Sequence, residues 1–336
     1  MEFKKGDIYG THRVISPKGV LPQPADVVDN TMEIYNNEVL IDVHTLNIDS
    51  ASFTEISNRA NGDVEEIKRI ILEIVNTTGK HKNPWTGSGG MLIGRVAEVG
   101  PDYEGELKKG DKIATMVSLS LTPLKIDEII EIRPDIDQVD IKGQAILFQS
   151  GIYAKLPKDI PQTLALSVLD VAGAPAQTAK ICKPGDTVLV MGGWQARKQV
   201  GINGTVICVD GFKKSINRAM SVNCADEYLV VNATDAVAMY EEIMDATEGQ
   251  LADVVINVVN IPNTEMSSII SCKDGGLVYF FSMATSFTKA ALGAEGIGKD
   301  VTMLVGNGYT KGHSEVALQV LREDERIRNL FAQLYA

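Results

Sequence analysis

Short apolar runs, each closed by Gly, Pro or Asp, punctuate residues 1 to about 160. Segments 38–46 (EVLIDVHTL), 91–99 (MLIGRVAEV), 111–117 (DKIATMV) and 143–156 (GQAILFQSGIYAKL) are rich in β-branched residues and predict strands. One stretch breaks the pattern. Val64, Ile67, Ile70, Ile71, Ile74 and Val75 recur at helical spacing behind Asp63, so 64–76 is expected to be a capped amphipathic helix packed on a barrel. From about 163 the strand candidates 187–191, 205–210, 228–231, 253–258, 277–282 and 301–305 alternate with helical stretches, and 313–334 closes the chain as helix. Strand–helix alternation of this kind predicts an α/β fold with a doubly wound parallel sheet covered on both faces.

A length of 336 residues suits two domains, and 44% hydrophobic with 23% charged residues permits a sizeable core. Thirty-two Lys and Arg against 44 Asp and Glu give a formal net charge of −12. That acidity argues against nucleic acid as a partner and mildly favours a small cationic substrate. It leaves nucleotides open, because glycine loops and helix N-termini bind phosphate without net positive charge. No run of 18 apolar residues exists, and the opening MEFKKGDIYG lacks a secretory core. A membrane partner is therefore not expected, and a cytoplasmic location is. Cys182, Cys208, Cys224 and Cys272 lie far apart without a CxxC pair, which points to buried thiols rather than disulfides or structural zinc.

The specific spellings go further. LNIDSASF (46–53), GSGG (87–90) entering MLIGRVAEVG, GDKIA (110–114) and KPGDTVLVMGG (183–193) resemble the medium-chain dehydrogenase/reductase superfamily. More narrowly, GTHRVISPKGVLPQPA (10–25), VSLSLTPLKI (117–126), DQVDIKGQAILFQSGIYAKLP (137–157), LDVAGAPAQTAK (169–180) and the long segment 275–313 resemble the L-erythro-3,5-diaminohexanoate dehydrogenase family. The resemblance spans nearly the whole chain. It implies a GroES-like β-barrel catalytic domain over 1–162, completed by about 309–336, and a Rossmann-type NAD-binding domain over 163–308. It also implies oxidative deamination of the diamino acid to 5-amino-3-oxohexanoate and ammonia, a step of lysine fermentation, with NAD as hydride acceptor. A homodimer is typical of such sheets. Two alternatives stay open: a zinc-free quinone or enone reductase, and a non-catalytic relative with impaired NAD binding.

A catalytic zinc needs three protein ligands of soft or imidazole character and one open position. Asp49 takes the place of the first cysteine ligand, the GSGG turn has no histidine, and 167–173 (SVLDVAG) has neither Cys or His. No metal is expected. Proton handling then falls to carboxylates, since amine oxidation needs a deprotonated ammonium and imine hydrolysis needs an activated water. Asp49 and Asp170 are the candidates, each with a plain alternative: a turn cap for Asp49 and a helix cap for Asp170. Arg13 is a candidate grip for the substrate carboxylate, with His12 beside it, and Glu295 for a second ammonium. His313 reads as a cap or surface residue; His44 and His81 read as structural or solvated.

A dinucleotide fold needs a glycine loop and a helix N-terminus after its first strand. Here Gly192 and Gly193 are followed by only 13 residues, 192–204 inclusive, before the next strand, and the full GxGxxG is absent. The first crossover is shortened, leaving room for a helix of at most 194–200. Asp210 ends the second strand where an acidic residue receives the ribose 2′-OH and disfavours NADP. Asn257, Val258, Asn260, Ser282, Met283 and Asn307, at later strand ends, are expected to line the nicotinamide side.

Overall fold

The computed structural model describes residues 3–171, 173–191, 197–282, 284–306 and 310–335. It divides into two compact units, Met1–Gln162 and Thr163–Ala336.

In the first unit β1 (Val14–Ser16) and β2 (Val27–Val28) form a small antiparallel pair. Then follow β3 (Val39–Asn47), α1 (Ser50–Arg59), α2 (Val64–Thr78), β4 (Met91–Val99), β5 (Lys112–Thr115), β6 (Leu124–Arg133), β7 (Gln138–Leu147) and β8 (Tyr153–Lys155). The last six strands make one antiparallel sheet in the order β6-β7-β3-β4-β5-β8. Asp63 caps α2 by accepting from the Glu65 and Glu66 amides at 2.9 and 3.1 Å, and Gly79 closes it in the left-handed region. The helix stripe of Ile67, Ile70, Ile71, Ile74 and Val75 shares one core with Ile41, Val43 and Leu46 of β3, Leu92 of β4 and Val139 of β7. Burying each such side chain contributes about 1.5–3 kcal/mol, which makes this packing the main hold on α2. Segment 143–156, expected as one strand, is split between β7 and β8 by a turn in which the Gly151 amide donates to the Phe148 carbonyl at 2.8 Å. α1 and β6 have no counterpart in the sequence expectations.

The second unit holds α3 (Gln162–Val171, beginning at the boundary residue), α4 (Ala174–Ile181), β9 (Thr187–Met191), α5 (Arg197–Val200), β10 (Thr205–Asp210), α6 (Lys213–Val222) and β11 (Glu227–Val230). It continues with α7 (Ala236–Ala246), β12 (Ala252–Asn257), α8 (Glu265–Ile270), β13 (Cys272–Phe280), α9 (Phe287–Ile297), β14 (Thr302–Val305), α10 (His313–Glu323) and α11 (Glu325–Tyr335). Its sheet is parallel throughout, in the order β11-β10-β9-β12-β13-β14. The chain steps outward from β9 to β11 and returns to β12 on the other side. It is at such a reversal, here the carboxyl ends of β9 and β12, that α/β sheets bind ligands. One face buries Leu189, Met191, Ile207, Val209, Val255 and Val278 against α7, α8 and α9.

The C-terminal segment corrects an expectation. Rather than completing the first domain, 310–335 belongs to the second unit, where α10 packs on α4 and α11 on α6. Its apolar residues Ala317, Leu318, Leu321 and Ile327 are buried, and Lys198 of α5 pairs with Glu323 at 2.5 Å. The single helix expected there breaks at Asp324, which turns extended and accepts from the Arg326 amide. In the first crossover α5 is described over Arg197–Val200, and 192–196 lie outside the described residues.

Candidate active site

Asp49 sits just past the end of β3. The Ile48 amide donates to the Asp137 carbonyl at 3.0 Å, fixing the strand end, and Asp49 then caps α1. Its Oδ1 accepts from the Ala51 and Ser52 amides at 3.1 and 3.3 Å. The turn-cap reading of Asp49 therefore describes one carboxylate oxygen; Oδ2 has no hydrogen bond among the described residues. The glycine turn presses directly on this strand end. At Gly90, with φ +103°, a Cβ would lie 2.1 Å from the Asn47 carbonyl oxygen and 2.8 Å from the Asp49 nitrogen, so only glycine fits.

Three hydroxyls gather on the next turn. Ser52 Oγ lies 2.6 Å from both Thr86 Oγ1 and Ser88 Oγ, which are 3.0 Å from one another. Asn83 braces them: its Nδ2 donates to the Ser52 carbonyl at 3.1 Å, and its Oδ1 accepts from the Trp85 and Thr86 amides. Arg59 of α1 stacks over the Trp85 ring at 3.8 Å.

His81, expected as structural or solvated, is wholly buried, and neither ring nitrogen has a hydrogen-bond partner among the described residues. An unpaired buried polar group costs about 1–3 kcal/mol, so such a group marks a site of function or of strain. Burial drives its pKa down to about 4, against the opposing pull of the Gly89 backbone and, after it, the charge of Asp49, so the ring is neutral at physiological pH. The flanking Lys80 is buried too, its ammonium donating to the carbonyls of Pro22, Gln23 and Ala25 at 2.6, 3.1 and 2.6 Å.

Arg13 and His12 stand apart from Asp49, in a second cluster, and their expected roles are corrected. All five guanidinium protons of Arg13 are spent. Nε and Nη2 each reach Glu38 at 2.7 Å, Nη1 reaches the Asp29 and Thr31 carbonyls, and Nη2 also reaches the Glu33 carbonyl. No donor is left for a substrate carboxylate. His12 is held at both ring nitrogens, by Asp7 at 3.1 Å and Glu38 at 2.8 Å. Both residues are fold elements, and the unforeseen Glu38 is their common partner.

In the second unit, Asp210 ends β10, half-buried, with Oδ1 accepting from the Phe212 amide at 2.9 Å and Oδ2 carrying no hydrogen bond among the described residues. The Val258 amide donates to the Met191 carbonyl at 3.0 Å, extending the pairing of β12 with β9. Asn260 and Ser282 meet at these strand ends, Ser282 Oγ donating to Asn260 Oδ1 at 3.4 Å. Asn257 is corrected: its side chain is buried, with Nδ2 on Thr264 Oγ1 and Ser268 Oγ at 2.9 and 2.8 Å and Oδ1 accepting from the Val259 amide, so nothing on it faces a nicotinamide. Glu295 occupies an exposed position on α9. Asp170 lies on α3 with its side chain outside the described residues. Gly192, Gly193, Met283 and Asn307 also lie outside them.

Among the described residues no three His, Cys, Asp or Glu side chains are grouped to hold a metal. The four cysteines are buried thiols. Burial pushes Cys182, Cys208 and Cys272 up to about 12 and raises Cys224.

The family model for the L-erythro-3,5-diaminohexanoate dehydrogenase N-terminal domain matches residues 12–157. An L-erythro-3,5-diaminohexanoate dehydrogenase of Acetoanaerobium sticklandii is 57% identical over 342 residues, covering 98% of this chain and 99% of that one. The chain belongs to the L-erythro-3,5-diaminohexanoate dehydrogenase family. The family's Fusobacterium nucleatum subsp. nucleatum member is 55% identical over 344 residues, 99% of this chain and 100% of its own. The fold is that of the medium-chain dehydrogenases and reductases. An alcohol dehydrogenase from Thermotoga maritima superposes with TM-score 0.53 at 16% identity, over 91% of this chain and 86% of that one. CurK enoyl reductase gives 0.52 at 16% identity, over 92% and 86%. For a diaminohexanoate dehydrogenase family member, the described residues fit the ribose end of a nicotinamide dinucleotide, since Asp210 keeps an acceptor oxygen at the end of β10. The glycine turn at 192–193, where a dinucleotide fold rests its pyrophosphate, lies outside the described residues.

Proposed function

We propose that this chain oxidatively deaminates L-erythro-3,5-diaminohexanoate to 5-amino-3-oxohexanoate and ammonia, with NAD as hydride acceptor. The 57% identity to the A. sticklandii enzyme, over nearly the full length of both chains, carries this reading. A bound nicotinamide supplies the hydride acceptance. The chain's own residues manage protons and charge. Asp49 accepts a proton from the reacting ammonium and releases it to solvent, then accepts one from the water that hydrolyses the imine and returns it to the departing ammonia; a positioned general base of this kind gives about 10²–10⁴-fold. Asp170 and Glu295 are assigned to the ammonium groups of the cationic substrate. Asp210 receives the ribose hydroxyls and, by charge, favours NAD over NADP. The same reading has the chain acting in the cytoplasm as a homodimer, without nucleic-acid or membrane partners. No described helix is long and apolar enough to cross a membrane.

The experiment is an assay of the purified chain with the diamino acid and NAD, following NADH and the amino-keto acid, beside NADP and beside a quinone with NADPH. Quinone reduction alone replaces this reading with a zinc-free quinone or enone reductase. The short stretch of 13 residues between β9 and β10, 192–204, favours one second reading, a non-catalytic relative with impaired NAD binding; it predicts no turnover and little or no NADH binding.

A further inference from the structure

Glu265, the first residue of α8, is 3% exposed. A carboxyl group is rarely buried so deeply without a cation beside it, because leaving water is costly for a charge. Glu38 meets that condition through Arg13. Glu265 has no ion pair among the described residues. Its Oε1 accepts one hydrogen bond, from the Ser286 amide at 2.6 Å, and Oε2 accepts none among the described residues. What this buried group holds is the turn after β13.

That turn leads to the strand ends. Ser286 closes it and caps α9, its Oγ accepting from the Lys289 amide at 3.3 Å. Within it the Thr285 amide donates to the Ser282 carbonyl at 3.2 Å, and the Ala284 amide to Ser282 Oγ at 3.1 Å. Ser282 Oγ in turn donates to Asn260 Oδ1 at 3.4 Å. Asn260 is exposed, and its Nδ2 carries no hydrogen bond among the described residues. The residue before Glu265 anchors the neighbouring loop. Thr264 Oγ1 accepts from Asn257 Nδ2 at 2.9 Å, and the Phe281 amide donates to the Asn257 carbonyl at 3.0 Å. The start of α8 thus fastens the segments that follow β12 and β13 together, and Lys289 Nζ straps them at the surface through Asn263 Oδ1.

We propose that Glu265 is a positioning residue for the nicotinamide end of the cofactor. Its grip on the Ser286 amide fixes the turn carrying Ser282, and through Ser282 it holds the Asn260 carboxamide ready to pair with the amide of the nicotinamide. Glu265 acts through the turn, being too deeply buried to meet the cofactor itself. The proposal rests on the reading of this chain as a nicotinamide-dependent dehydrogenase whose strand ends at 257–260 and 282 receive that ring.

Calorimetric titration with NADH and with ADP-ribose, which lacks the nicotinamide, tests it. Glu265→Met fills the buried space without an acceptor. It should bind NADH about tenfold more weakly, the worth of one hydrogen bond, and ADP-ribose within a few-fold of the unaltered chain. Glu265→Gln, which keeps a carbonyl acceptor for the Ser286 amide, should bind NADH within a few-fold as well. Unchanged NADH affinity in folded Glu265→Met overturns the proposal. So does an equal loss for ADP-ribose, which would make Glu265 a support of the whole domain. Deuterium uptake at amides 284–290 of the unaltered chain needs no variant and decides the matter if Glu265→Met does not fold. NADH should slow it and ADP-ribose should not; equal effects overturn the proposal. An unaltered chain that binds no NADH overturns the cofactor reading as well, a result distinct from these.

Discussion

The Arg13 guanidinium and the Glu38 carboxylate meet fork to fork inside the first unit, Nε on Oε1 and Nη2 on Oε2, both at 2.7 Å. The other three N–H groups tie carbonyls of 29, 31 and 33, so one side chain fastens that loop to the start of β3. Arg13→Met leaves Glu38 buried without its cation, and breaking such a pair costs about 3–5 kcal/mol. Urea unfolding should show that loss, while KM for the folded fraction stays within a few-fold. A raised KM at unchanged stability would return Arg13 to the substrate.

His12 makes this cluster sensitive to pH. Burial alone lowers its pKa, but hydrogen bonds and charge from Glu38 and Asp7 outweigh burial and raise it. Burial would raise Glu38, yet bonds from His12, Arg13 and the Tyr35 amide hold it low; Asp7 is held low by Thr11 and His12. The raised imidazole stabilises fully below about pH 6.5 and loses that contribution as pH climbs through its folded value. The lowered carboxylates contribute above about pH 4 and lose it as pH falls. Stability should therefore peak at roughly pH 5–6.5. Urea midpoints from pH 4 to 9 should decline on the alkaline side for the unaltered chain and less so for His12→Gln; parallel curves would refute a charged His12.

Asp49 has two jobs that substitution separates. Asn caps helices as well as Asp, so Asp49→Asn should keep the melting temperature and lower turnover by about 10²–10⁴. Asp49→Ala should lose that activity and also about 1 kcal/mol of stability. NADH affinity should change little in either. Near-normal turnover in Asp49→Asn would leave the residue a cap alone.

The short first crossover bears on cofactor affinity. Losing two or three charge-assisted hydrogen bonds to the pyrophosphate, each about 1.5–3 kcal/mol, weakens binding by roughly 3–9 kcal/mol. A variant with a full glycine loop and helix inserted between Gly193 and Gln195 should bind NADH at least about a hundredfold more tightly. Calorimetric titration of both chains decides it; affinities within a few-fold would mean that 192–204 already forms a competent phosphate site.

The parallel sheet was legible because its strands are buried on both faces and read as unbroken apolar runs: β9 and β10 occupy 187–191 and 205–210, the bounds the sequence predicts. β6 was not. It buries one face with Leu124, Ile126 and Ile132 while Lys125 and Asp127 stay exposed, and five charged side chains mask the alternation. α1 buries only Ser52, Phe53 and Ile56, too narrow a stripe to announce a helix. The placement of the candidate residues was half legible. Asp49 and Asp210 follow from their places at strand ends, whereas His81 looks solvated between Lys80 and Lys82. It is buried all the same, and Lys80 beside it is bonded to a loop more than 50 residues away, which no local pattern records. A fold-locking arginine and a substrate-binding one are spelled alike, and the Arg13–Glu38 pairing spans 25 residues without periodicity.

All four thiols lie in the second unit, on separate elements: Cys208 within β10, Cys272 at the start of β13, Cys224 just past α6 and Cys182 just past α4. Only the thiolate reacts with alkylating reagents, and burial withholds it in the folded chain. Alkylation thus becomes a stopwatch on this unit, each modified cysteine dating one opening of the element that shelters it. The sequence of labelling would rank its elements by local stability, while the cysteine-free first unit leaves no mark on the record.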